Sequence, residues 1–151
     1  MKENDITDRI KTFEDACEVL GDDDDLVSEF KSLIKDKHSY DVIAYVKLRI
    51  IVKALNEGWK PSFDGKRIHY PVFSTWEKDE YDELNEIEKK DFCMVHKSSY
   101  VKDGCISFTT AFLDSSDEYL HIGSKLVFKT SKLAEYCAHQ FIDIWADYLF
   151  S

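Results

Sequence analysis

Tyr40-Asp41-Val42-Ile43-Ala44-Tyr45-Val46-Lys47-Leu48-Arg49-Ile50-Ile51-Val52-Lys53-Ala54-Leu55 is the stretch around which the rest of the chain must be arranged. The predicted helix starts after Ser39, continues to about Asn56 and has Gly58 as its natural stop. Its apolar residues cover much more than one stripe, leaving Lys47, Arg49, Lys53 and Glu57 as the clearly polar positions. A helix apolar over most of its circumference packs against neighbours on two or three sides, so this one is expected at the centre of the molecule.

Upstream, residues 1–11 are polar and expected to form a flexible N-terminus. Thr12, with Asp15 three residues later, is a capping-box variant that opens a short helix. Phe13, Ala16, Cys17 and Leu20 form its apolar stripe, and Gly21 supplies the left-handed stop. Asp22-Asp23-Asp24-Asp25 invites a calcium reading, which fails. Counting from Asp22, Val27 stands where an EF-hand needs Gly and Leu33 where it needs Glu. Carboxylates here are better read as the cap and first turn of a helix over about 26–35, whose inward face is Leu26, Phe30, Leu33 and Ile34.

Downstream, Trp59 to Arg67 is a turn-rich loop and Ile68 to Phe73 a strand. Pro71 lacks an amide donor, which confines it to an edge, a bulge or a strand end. Residues 77–91 hold eight acids and three lysines and read as a mobile or solvent-facing insertion with one amphipathic turn. Asp91 to His96 is strand-like. Asp103-Gly104 then marks a turn before Cys105 to Phe112, where alternation places Ile106, Phe108, Thr110 and Phe112 on one face. Tyr119 to Ile122 and Lys125 to Lys129 flank Gly123-Ser124 as a further hairpin. A last helix runs from Thr130 or Ser131 to about Tyr148, burying Leu133, Ala134, Cys137, Phe141, Ile144, Trp145 and Tyr148. These elements predict a single α+β domain over 12–151. An antiparallel sheet of about four strands is packed by N-terminal helices and a long C-terminal helix.

The chain has 151 residues and a net charge of -10, unevenly distributed. Residues 1–36 carry -7, 77–91 carry -5 and 92–151 carry -2, against +4 for 37–76. This balance opposes a large nucleic-acid footprint, which would require phosphates to be neutralised by Lys and Arg. No window is apolar enough to span a bilayer, so no membrane partner is expected, and Met1 to Ile6 lacks the apolar core of a secretion signal. Cys17, Cys93, Cys105 and Cys137 form no CxxC pair and read as buried reduced thiols, consistent with a cytoplasmic location.

Three blocks carry a family resemblance. Leu48 to Pro61, Gly123 to Phe141 and Thr12 to Gly21 resemble, in order, the recurring block, the closing hairpin and helix, and the opening helix of a family of small proteins. That family belongs to Bacteroides-type gut bacteria and their phages or prophages. The resemblance implies a phage-related setting and no catalytic residues. The acidic run at 77–91 departs from the family pattern.

No catalytic motif emerges from the residues. His38, His69, His96, His121 and His139 are scattered, without HExxH or a Cys/His cluster, so neither a metal nor a cofactor is expected. No GxSxG elbow or glycine-rich phosphate loop is present. Cys93 and His96 fall at odd spacing on a predicted strand, hence on opposite faces, and make a poor local dyad. A dyad of distant residues, and with it a small hydrolase-like enzyme, stays open. The basic middle is the best candidate site. Arg49, Lys53, Trp59, Lys60, Phe63, Arg67, Tyr70 and Trp76 could form a basic–aromatic patch, where aromatic anchors supply binding energy. The leading expectation is a non-enzymatic module with a protein partner or a homodimer face. Nucleic acid is expected only through a local patch at 49–67. An alternative is an acidic nucleic-acid mimic that steers a basic host factor.

Overall fold

Eight helices and three strands are formed by the residues that the computed structural model describes: 5–62, 67–97, 100, 105–115 (backbone alone at 112–115) and 125–151. The chain is α+β. α1 (Ile6–Arg9) is a single turn whose cap, Asp5, accepts the Thr7 N–H at 3.1 Å. Ile6 and Ile10 are buried, and the Gln140 side chain donates to the Lys11 carbonyl at 2.7 Å. Residues 5–11, whose polar composition suggests fraying, are thus fastened to the C-terminal helices.

α2 (Phe13–Leu20) opens with the expected capping box. Thr12 accepts the Asp15 N–H at 3.1 Å, and the Asp15 carboxylate accepts the Thr12 N–H at 2.8 Å. Gly21 follows with φ +86°, a conformation disfavoured for a residue with Cβ. α3 (Asp25–Lys35) takes Asp24 as its cap, through the Leu26 N–H at 3.0 Å. Of its expected inward face, Leu26, Phe30 and Leu33 pack against the core beside the buried Val27, while Ile34 is 50% exposed. The last turn of α3 leads into the exposed segment 36–40 and leaves the core behind.

α4 (Tyr40–Leu55) is the central helix, buried at Ala44, Val46, Leu48, Ile50, Ile51, Val52, Ala54 and Leu55. α2 and α3 pack on it, with Phe13 and Phe30 in edge contact at 4.7 Å and the Lys47 ammonium over both rings. α4 is also covered by α7 (Ser131–Gln140) and α8 (Ile142–Phe150). These two occupy the place of the single long C-terminal helix expected. The helix breaks at Phe141 (φ -120°, ψ 29°), and the break seats both Phe141 and Trp145 in the core.

The sheet is antiparallel, with β1 (Arg67–Trp76) and β2 (Val95–His96) on either side of β3 (Cys105–Ser115). Pro71 lies in edge strand β1, beside a bulge at Val72/Phe73. There Val72 pairs with Thr110 and Phe73 with Phe108, so Thr109 is the extra residue. One inserted residue inverts every later position, so Phe108 and Thr110 fall on opposite faces instead of the shared face that strict alternation predicts. Phe73, Ile106 and Ala111 join the main core under the helices. Ile68 and Tyr70, on the other face, form a smaller cluster with Val127, Trp59 and Val72.

Three strands stand where about four were expected. Tyr119–Ile122, Gly123-Ser124 and Asp103-Gly104 lie outside the described residues. Lys125 to Lys129 contributes one bridge, in which Phe128 and His69 exchange both backbone hydrogen bonds at 2.7 and 3.1 Å. The outward groups of that segment are already engaged: the Asn56 side chain donates to the Val127 carbonyl at 2.9 Å and accepts the Lys129 N–H at 3.1 Å.

The acidic run forms two short helices, α5 (Lys78–Glu83) and α6 (Glu86–Asp91), each with a capping box and no buried residue. α6 continues through Asp91, so the strand expected to begin there is confined to Val95–His96. Among the described residues, no helix is long and apolar enough to cross a membrane.

Candidate binding cleft

Arg49, Val52, Lys53 and Asn56 recur at helical spacing and share one face of α4. Opposite them stand Asp25, Leu26 and Glu29 of α3, and together with Trp59, Lys60, Pro61, Lys125 and Val127 they line a cleft of about 510 Å³. Its apolar surface comes from the half-buried Leu26, Trp59 and Pro61, with Val52 and Val127 buried behind them. Trp59 is held by its own N–H, which donates to the Asn56 carbonyl at 2.9 Å as the chain turns through Glu57 (φ +49°) and Gly58 (φ +82°).

The charges are mixed. Lys53 pairs with Asp24, whose carboxylate also caps α3. Burial pulls the Asp24 carboxyl upward, but the Lys53 ammonium and the Leu26 N–H outweigh it and hold it below its ordinary value. Arg49 reaches Glu29 at 3.9 Å and lies 5.8 Å from the Tyr45 ring. Lys60 and Lys125 have no ion-pair partner among the described residues, and they are the cations with charge to offer a ligand.

Arg49, Lys53, Trp59 and Lys60 are therefore brought together. Arg67 is exposed at the start of β1, and Tyr70 is buried in the small cluster with Trp59. Trp76 sits at the other end of β1, roughly 30 Å from Arg67 at about 3.3 Å per residue. There it donates to Ser107 Oγ at 2.8 Å and lies 5.8 Å from Phe92. Phe63 lies outside the described residues. The basic zone of 37–76 is thus partly neutralised by acids of α3, which a linear charge count does not reveal.

The sequence reading missed Asn56 and Lys125. Asn56 was legible only as a helix end, and Lys125 is brought in by the Asn56 hydrogen bonds to Val127 and Lys129. Cys93 and His139 were also missed as a pair: they lie 46 residues apart, with Sγ 3.1 Å from Nδ1. A second cavity of about 580 Å³ is lined by Tyr40, Lys97, Tyr100 and Asp147 among others. There the Tyr100 hydroxyl and the Lys97 ammonium both donate to one Asp147 oxygen at 2.8 Å. Burial, then Asp147, pushes the Tyr100 phenol above its ordinary value. Among the described residues, no group of three or more His, Cys, Asp or Glu is placed to hold a metal ion. No protein-family model, curated protein or solved structure matches this chain.

Proposed function

We propose that this chain is a non-enzymatic, cytoplasmic protein-interaction module whose α3–α4 cleft receives an acidic segment of a partner protein with an apolar anchor. The supporting observation is the cleft itself, which joins an apolar surface at Leu26, Trp59 and Pro61 to the ammonium groups of Lys60 and Lys125. An apolar anchor in a desolvated pocket supplies affinity, and rim charges supply orientation and encounter rate. In the phage-related setting that the family resemblance implies, such an accessory protein serves an assembly or regulatory partner.

The test is fluorescence anisotropy with a labelled peptide rich in Asp and Glu around a central Leu or Phe. Binding should weaken with added salt and fall about ten-fold or more in the double variant Lys60→Glu/Lys125→Glu, since each lost charge contact is worth about 1 kcal/mol. Absence of binding, or binding indifferent to both substitutions, overturns the reading. Affinity capture from the native host, with the same variant as control, then identifies the partner.

A further inference from the structure

We propose that Cys93 is a self-acylating thiol that takes an acyl group from a small-molecule thioester, with His139 as its general base. The pair is assembled by elements far apart in the chain. α6 ends at Asp91, and the following turn holds Cys93 at φ +50°, a strained conformation for a residue with Cβ. Its N–H donates to the Lys90 carbonyl at 3.0 Å, and the next N–H, of Met94, donates to the Lys89 carbonyl at 2.9 Å. The turn so fixed places Cys93 Sγ 3.1 Å from Nδ1 of His139, in the last turn of α7. Phe108 of β3 supports the imidazole, with ring centroids 4.6 Å apart. His96 instead faces the Tyr81 ring at 5.2 Å. The thiol is half-buried and the imidazole exposed, so a small molecule can reach them.

With the ring proton on Nε2, Nδ1 accepts the proton of the thiol. As Sγ attacks the thioester carbonyl carbon, that proton passes to Nδ1 and the new S–C bond forms. The adduct collapses by breaking the donor's C–S bond, and the departing sulfur takes the proton back from His139. The products are acyl-Cys93 and a free thiol, and the step consumes no other reactant.

Three observations select this chemistry. Burial, then the Asp91 carboxylate, keeps the Cys93 thiol protonated, which makes a facing base necessary. No disulfide joins the four cysteines, and Cys105 and Cys137 are buried, which disfavours disulfide exchange within the chain. The N–H groups of Cys93 and Met94 are committed to carbonyls and cannot stabilise an oxyanion, so the acyl donor must arrive already activated, as a thioester does and an amide does not. Phe92, the preceding residue in the chain and 45% exposed, adds apolar surface for an acyl chain.

The experiment treats the full chain with the octanoyl thioester of N-acetylcysteamine and follows each cysteine by peptide mass mapping. Cys17 is the internal reference, a half-buried thiol pushed up by burial and Glu14 and without an imidazole among its described hydrogen-bond partners. Cys93 should acylate about ten-fold or more faster than Cys17. His139→Gln, at an exposed position, should reduce Cys93 to the Cys17 rate and leave Cys17 unchanged. Equal rates at the two cysteines, indifference to His139→Gln, or reaction of Cys93 with iodoacetamide but not with the thioester each overturns the proposal. The α3–α4 cleft takes no part in these outcomes.

Discussion

Asn56, at the C-terminal end of α4 and only 3% exposed, uses both ends of its amide to hold the chain from Val127 to Lys129 against the central helix. Asn56→Ala leaves a carbonyl and an N–H without these partners, and it should cost about 2–4 kcal/mol, read as a lower urea midpoint. Asn56→Asp keeps the acceptor for Lys129 but sets a buried carboxylate oxygen against the Val127 carbonyl, so it should cost at least as much. Because Lys125 and Val127 form one wall of the cleft, the same variants should weaken the acidic peptide more than their global stability loss explains. Asp24 has a comparable double duty: it caps α3 and pairs with Lys53.

Among the elements, α5 and α6 show how a segment of mostly charged residues acquires structure. The side chain of Asn85 accepts the N–H groups of Ile87 and Glu88 at 3.0 Å, and Glu88 returns the bond to the Asn85 N–H at 2.9 Å. A six-residue helix with no buried side chain depends on such caps, because it gains little from packing. Asn85→Ala should therefore cost about 1 kcal/mol locally. The loss should appear as faster amide hydrogen exchange at Lys89 to Met94, while exchange in α4 stays slow. If Cys93 is positioned by this turn, the same substitution should also slow its acylation. The α7–α8 break is governed differently: Phe141 N–H still bonds to the Cys137 carbonyl at 3.0 Å, and Trp145 N–H to the Phe141 carbonyl at 3.1 Å. The backbone remains bonded through the break while two large side chains are buried.

For the whole molecule, the titrating groups define a stability dome in pH. Lys132, then Thr7, draws the Asp5 carboxyl down to about 2, while Asp15, Asp22, Asp24, Asp41 and Asp82 also lie below their ordinary values. Folded carboxylates of this kind bind protons less readily than the unfolded chain, so their contribution is complete above about pH 4 and is lost as pH falls toward 2. Burial, then Arg67, lowers the His69 imidazole, which works in the same direction from about pH 6.5 downward. Burial raises the Cys137 thiol to about 12, so its contribution is complete below about pH 8.5 and is lost as pH rises toward that value. Urea midpoints should therefore be highest at about pH 7–8 and fall on both sides, with Cys137→Ala reducing the alkaline slope.

Local chemistry was legible directly. The Thr12/Asp15 box, the helix cap within Asp22 to Asp25, the central role of Tyr40 to Leu55 and the edge position of Pro71 each depend on a few neighbouring residues or on one hydrophobic pattern. Half of the proposed patch was legible for the same reason, since Arg49, Lys53, Trp59 and Lys60 lie within about three turns of one another in the chain. What tertiary structure alone decided involves partners distant in sequence. The bulge at Thr109 reassigns the faces of β3, and the break at Phe141 has no proline or glycine to announce it. Asn56 takes the outward hydrogen bonds of Lys125 to Lys129, and α3 brings acids to a basic face of α4. Cys93 meets His139 for the same reason: hydrogen bonding within a few residues sets where helices begin and end, whereas burial of the shared core sets which of their side chains meet.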